Sequence, residues 1–246
     1  VPLSHVRNGT MGLSLCPISV RVFSREGMGC MEYPVVVAAL DIGGTKIAGA
    51  LLRYAKAGQA PEVVYERQIP TDAKRGGGPV LVTVCDMANS LLVEARARRE
   101  DVLGIGVSTA GRVDAKTGGI AYANEIMPGW TGQPVRDRLE ESCEVPVSVL
   151  NDVQAHGLGE ARWGAARGSQ TCMMIAAGTG IGGAVIAHGK LVRGNHGFAG
   201  EIGHIACSQA VGIPCVCGGS GHLELVASGS GIEARYAEAG GEPVDS

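Results

Sequence analysis

Val35-Val-Val-Ala-Ala-Leu-Asp-Ile-Gly-Gly-Thr-Lys46 is an apolar run that breaks into a carboxylate, two glycines, a hydroxyl and an ammonium. The run from Val35 to Leu40 has the look of a buried strand. A second apolar run, Ile47 to Leu52, follows at once, so the glycines predict a tight turn between two strands of a hairpin. About 140 residues later the pattern returns: Thr171 to Ala177, then Gly178-Thr-Gly-Ile-Gly-Gly183, then Ala184 to Ala187. A repeated strand–glycine turn–strand unit predicts an α/β protein of two similarly built lobes facing each other.

The elements between the two copies fill in the first lobe. Val63 to Ile69 reads as a third strand. From Pro79 to Arg99 the residues Val80, Val84, Met87, Leu91 and Ala95 keep a helical spacing. Val102 to Val107 is a strand broken at Ser108-Thr-Ala-Gly111. Val145 to Leu150 is another buried strand, ending at Asn151-Asp152, and Gln154 to Trp163 reads as a helix. The lobes are expected over 34–150 and 151–246. Residues 1–33 show neither period and no secretory signal, and are expected to be a disordered leader, with translation starting near Met31.

Composition narrows the class. The 246 residues carry a formal net charge of −3, which gives no basic field for nucleic acid. No apolar run in the sequence reaches membrane-spanning length, so a soluble, cytoplasmic protein without a membrane partner is expected. The eight cysteines lack regular spacing apart from Cys215-x-Cys217, which suits a reducing compartment and one metal site better than a disulfide framework.

The turns carry the chemistry. Successive backbone N–H groups in a glycine-rich turn form a concave nest for phosphate oxygens. Gly43, Gly44 and Thr45 offer one, with Lys46 adding positive charge, and Gly178 to Gly183 offer a second. Asp41 is placed to hold Mg²⁺ through water, because Mg²⁺ prefers oxygen ligands and keeps its hydration. Neither turn is a Walker loop. Asp152 sits past a buried strand, where an open α/β sheet binds its ligands. There it is suited to take a proton from an attacking hydroxyl in phosphoryl transfer. It is equally suited, as is Asn151, to cap the following helix.

Between Gly197 and Glu224 lie Glu201, His204, Cys215, Cys217, His222 and Glu224. Taken singly, these read as buried thiols, a core histidine and surface carboxylates. As a group, the Cys-x-Cys pair with His204 and His222 supplies the four contacts of a tetrahedral zinc site. Glu201 and Glu224 are surplus to that shell and read as acceptors for the hydroxyls of a small polar ligand such as a sugar.

Asp41-Ile-Gly-Gly-Thr-Lys46, Asn151-Asp152, Gly178-Thr-Gly-Ile-Gly-Gly183, Glu201-Ile-Gly-His204 and Cys215-x-Cys-Gly-x-x-Gly-x-x-Glu224 together resemble the ordered motifs of the ROK family (repressor, ORF, kinase), over about residues 35 to 233. The resemblance implies the two-lobed fold of sugar kinases, hexokinase, actin and Hsp70. It implies ATP- and Mg²⁺-dependent phosphorylation of a hexose or N-acetylhexosamine, usually on the 6-hydroxyl, by a homodimer. Asp152 would be the catalytic base. Gly111, Arg112, Asn124, Asn151, Asp152, Glu201, His204 and Glu224 would line the sugar site, with Arg112 favouring an acylamino sugar. Asp41, Gly43, Gly44, Thr45, Lys46, Gly178, Thr179 and Gly180 would serve the nucleotide, and His204 both sugar and structural zinc. The family's other branch, a sugar-responsive repressor, needs a DNA-binding segment before Asp41, and an inactive sugar-binding remnant is a third possibility. The chain departs from the pattern twice. His222 stands where a third cysteine is usual, leaving one thiolate fewer. The chain also stops at Ser246, where family members continue with the segments that hold adenosine, so a truncated sequence is expected.

Overall fold

The computed structural model describes residues 33–242, so residues 1–32 of the expected leader, with Met31, lie outside the described residues. The first sheet has five strands in the order β3-β2-β1-β4-β7. Its strands are β1 (Val35–Ile42), β2 (Lys46–Tyr54), β3 (Glu62–Pro70), β4 (Val102–Thr109) and β7 (Val147–Asn151). The first three pair antiparallel, and β4 and β7 add in parallel on the far side of β1. The expected hairpin is therefore present: Asp41 pairs with Ala48 and Ile42 with Ile47. Strand β7 starts two residues later than Val145, because Pro146 has no N–H to give and contributes only its carbonyl, to Ile105 N.

Two helices cover one face of this sheet. Helix α1 (Gly77–Ala97) presents Val80, Val84, Met87, Leu91 and Ala95, all buried. Gly49 on β2 lets it approach closely, since a Cβ there would stand 3.0 Å from Met87 Sδ. At 21 residues with mean hydropathy 1.2, α1 has the length and composition of a membrane-crossing helix, which the sequence reading did not register. Its apolar stripe instead joins Leu40, Ile47, Ile105 and Val107 in the main core. Helix α2 (Val135–Cys143) adds Val135, Leu139 and Cys143 to that core. No periodicity had marked it, because only those three of its nine residues are buried.

Between β4 and α2 a two-stranded ribbon, β5 (Arg112–Val113) and β6 (Ile120–Tyr122), leads into the loop that carries Asn124 and the fully buried Trp130.

After β7 the chain turns directly into α3 (Asp152–Trp163). The helix lies against a second sheet of three antiparallel strands in the order β10-β9-β8: β8 (Cys172–Ala177), β9 (Ile181–Ala187) and β10 (Lys190–Val192). Gly157 permits this packing, because a Cβ there would fall 2.4 Å from the Cβ of Ala184 on β9. On the other side of α3, Trp163 stacks near Tyr54 of the first sheet, with ring centroids 6.1 Å apart. One helix thus fixes both sheets. The second sheet is followed by the loop bearing the cysteines and histidines and by α4 (Glu224–Ala227) and α5 (Gly229–Glu238).

Candidate active site

Parallel strands of an open sheet deliver their carboxyl ends to one crevice. Here the register aligns Ile42, Thr109 and Asn151 in one row, and Asp41, Ser108 and Leu150 in the row before it. Immediately beyond those rows lies a cleft of about 1020 Å³. Asp41, Gly43, Thr45 and Lys46 line it from the first turn, Gly178, Thr179 and Gly180 from the second, and Gly111, Asn124, Asn151, Asp152 and Glu224 from the segments between.

Asn151 organises the far end of that row. Its Oδ1 accepts from Val153 N at 3.0 Å and Gln154 N at 3.3 Å, capping α3, while its Nδ2 donates to Gly111 O at 2.9 Å. Gly111 has φ +90, and a Cβ on it would stand 2.6 Å from Tyr122 O, so only glycine fits. Asp152 is the first residue of the helix, with Oδ1 accepting from Val153 N at 2.8 Å. Burial pushes its carboxyl up, reinforced by the charge of Asp41 and opposed by its hydrogen bonds. Burial also raises Asp41, against the pull of the Ser108 hydroxyl and the Lys46 ammonium. That hydroxyl stands beside Asp41 but is buried outside hydrogen-bonding geometry.

The two glycine turns are held differently. In the first, Gly43 N donates to Lys46 O, while buried Thr71 donates through Oγ1 to Gly43 O at 2.6 Å and through its N–H to Thr45 O at 3.0 Å. Gly44 does not line the cleft; Ile126 roofs it, so that a Cβ there would meet Ile126 Cγ2 at 2.4 Å. In the second turn Gly178 N donates to Gly180 O, and Ile181 N donates to Glu224 Oε2 at 2.9 Å. The N–H groups of Gly44, Thr45, Thr179 and Gly180 have no protein acceptor among the described residues, as a phosphate nest requires.

Three of the expected sugar residues lie off the cleft wall. Arg112 stacks over Phe198 with its guanidinium carbon 4.3 Å from the ring centroid, and Glu201 is exposed. His204 is half-buried among the cysteines. There the ligand atoms of His204, Cys215, Cys217 and His222 all lie within 4.8 Å of one another. Cys215 Sγ is 3.7 Å from His204 Nδ1, and Cys217 Sγ is 3.5 Å from His222 Nδ1. A tetrahedral zinc with its usual Zn–S and Zn–N bonds needs S···N edges of about 3.6 Å. The donor set and spacing fit that ion, and the imidazole of His222 completes the set.

Several residues that brace or line the cleft had escaped the sequence reading. Thr71 pins the first turn from 28 residues away. Trp130 Nε1 donates to Thr109 Oγ1 at 3.1 Å, fixing the strand end before Gly111. Ile126, the roof over Gly44, donates its N–H to Oδ1 of Asn124, itself one of the expected sugar residues. Along α3, His156, Glu160 and Trp163 continue the wall past Asp152. The helical spacing from Asp152 was the one available signal for these last three.

Comparison with known proteins agrees with this architecture. The ROK family model matches residues 37–245. The glucokinase of Halalkalibacterium halodurans is 39% identical over 201 residues, covering 82% of this chain and 58% of that protein. The ROK hexokinase from Thermus thermophilus superposes with TM-score 0.72 at 34% identity, covering 86% of this chain and 66% of that one. A ROK family glucokinase from Streptomyces griseus, solved in complex with glucose and AMPPNP, gives TM-score 0.65 at 32% identity, covering 83% and 60%. The fold is thus the two-lobed, actin-like ATPase fold of these kinases, and the chain spans about 58% of the length of the first of these relatives.

Proposed function

The chain belongs to the ROK family, and from that premise we propose that it carries the sugar- and phosphate-gripping surfaces of an ATP-dependent kinase acting on the 6-hydroxyl of a hexose or N-acetylhexosamine. The observation that carries this reading is the single cleft into which Asp152, Asn151, Asn124, Glu224 and both glycine turns converge. The lobe boundary is taken at Asn151 and Asp152, where the last strand of the first sheet becomes the helix lying on the second.

In this reading Asp152 is the general base. Its raised pKa keeps it a better proton acceptor than an ordinary surface aspartate, and the cap on Asn151 holds it at the cleft. Asn124, Asn151, Gly111 and Glu224 orient the sugar hydroxyls, while Arg112 on β5 and Glu201 and His204 on the segment toward the metal cluster stand off the cleft wall and are given no contact with the sugar. The N–H groups of Thr45, Thr179 and Gly180 with Lys46 stabilise phosphoryl charge, and Asp41 with Gly43 and Gly178 shapes that corner, while Gly44, roofed by Ile126, serves only the packing of the turn. Mg·ATP would supply the phosphoryl group and a neutralising cation; the glucokinase bound to glucose and the ATP analogue AMPPNP supports that choice of donor. Zn²⁺ would be held by His204, Cys215, Cys217 and His222 as a structural ion.

The test is an ATP-coupled assay over a panel of hexoses and N-acetylhexosamines, run on the full-length protein as wild type and Asp152→Asn. Turnover on at least one sugar, lost in Asp152→Asn while sugar binding persists, is the expected result. Turnover that survives the substitution overturns the base assignment.

A further inference from the structure

We infer that Gly203 and Glu224 make the metal loop a clamp on the second glycine turn, so that metal occupancy sets the shape of the phosphate nest at Thr179 and Gly180. The inference rests on the reading of His204, Cys215, Cys217 and His222 as a zinc site. Its geometry centres on one residue, Ile181, at the start of β9.

Two separate segments bring the histidine ligands, and each seats a near neighbour of its histidine on Ile181. Gly203, just before His204, lies so close to the Ile181 carbonyl that a Cβ on it would stand 2.2 Å from that oxygen. Glu224, two residues after His222, accepts the Ile181 N–H through Oε2 at 2.9 Å. The same oxygen covers Gly180, where a Cβ would fall 2.5 Å from it. A third tie follows in the chain, from Gly229 N to Gly178 O at 2.8 Å.

The two segments are also tied to each other. Leu223 N donates to Ile205 O at 3.0 Å, and Cys207 N donates to Gly221 O at 2.8 Å. Four coordinate bonds to one ion would fix the separation of His204 and His222 more tightly than these two hydrogen bonds alone. That separation is the gape of the jaws on Ile181. With the jaws closed, the hydrogen bond to Glu224 removes the Ile181 N–H from the set that could face a phosphate and holds those of Thr179 and Gly180 in place. Glu224 is therefore a positioning residue for the turn through one carboxylate oxygen, at a place where the residue also lines the cleft.

The experiment is hydrogen–deuterium exchange on the full chain, comparing the peptide over residues 177–183 with one from α1. Wild type is measured with zinc and after chelation, and Glu224→Ala and Glu224→Gln are measured with zinc; Co²⁺ absorption checks that the metal site is filled. Loss of one charge-assisted bond to a backbone N–H corresponds to about a tenfold rise in exchange. Glu224→Ala should therefore exchange about tenfold faster at the turn while its Co²⁺ spectrum persists. Glu224→Gln, which keeps an acceptor, should stay near wild type. Chelation should raise exchange at the turn and leave α1 unchanged. A turn in Glu224→Ala as protected as in wild type overturns the clamp, as does a wild-type turn indifferent to chelation of demonstrated metal. Failure of wild type to take up Zn²⁺ or Co²⁺ overturns the zinc reading instead, and the exchange of Glu224→Ala then decides the carboxylate tie by itself.

Discussion

Replacing Asn151 by Ala tests how the cleft is built, because one side chain ties the helix, the strand end and the Gly111 loop together. The substitution removes the acceptor shared by Val153 N and Gln154 N and the donor to Gly111 O. Loss of an N-cap costs about 1 kcal/mol, and loss of a part-buried hydrogen bond about 1 kcal/mol more. The expected destabilisation is then about 2 kcal/mol, with some deviation from additivity because both bonds share a side chain. Asn151→Asp separates the two parts. The carboxylate still caps and gains from the helix dipole by about 0.5 kcal/mol. It cannot donate to Gly111 O, and it adds charge beside Asp152, whose carboxyl burial already pushes up. Asn151→Asp should therefore lose about 1 kcal/mol, between wild type and Ala. Urea denaturation followed by tryptophan fluorescence is the assay, since Trp163 ends α3 and Trp130 anchors Thr109. The midpoint should fall at unchanged slope. An Ala variant within about 0.5 kcal/mol of wild type, or an Asp variant as unstable as Ala, would refute the assignment of Asn151 as the joint.

Gly44→Ala forces a methyl into Ile126 Cγ2 and should cost about 1–3 kcal/mol by overpacking. Adding Ile126→Ala should recover much of that loss, and simple additivity of the two in denaturant titrations would count against the contact. Asp152→Asn should change the pH dependence of stability. A carboxyl with a raised folded pKa stabilises the fold below its ordinary 3.8, and that contribution fades as pH rises through the folded value. The uncharged variant should thus melt higher than wild type at neutral pH, with the advantage shrinking toward about pH 4; melting curves with a gap independent of pH would exclude this origin.

The parts of this fold legible in the sequence are those written by neighbouring residues. Apolar runs broken by glycine marked both hairpin turns, and the position of Asn151-Asp152 after a buried strand already places them at the crevice. What connects these pieces is non-local. Thr71 holds Gly43 across 28 residues and Trp130 holds Thr109 across 21, and neither residue carries any local signature of its partner. Ile126 seals Gly44 from a loop without periodicity, and the long stripe of α1 read as a helix but not as one apolar enough to cross a membrane. The most instructive ambiguity was Asn151 against Asp152, either of which suits a helix cap. Asn151 takes the cap, with bonds to the N–H groups of both Val153 and Gln154. Asp152 accepts from Val153 N, and no cation pairs with it among the described residues. Burying a carboxylate without a counter-charge is costly, and the helix already has its cap. A carboxylate whose burial costs the fold stability at neutral pH, at a helix start that Asn151 already caps, points to the cleft it faces, which makes Asp152 the first residue to test for chemistry.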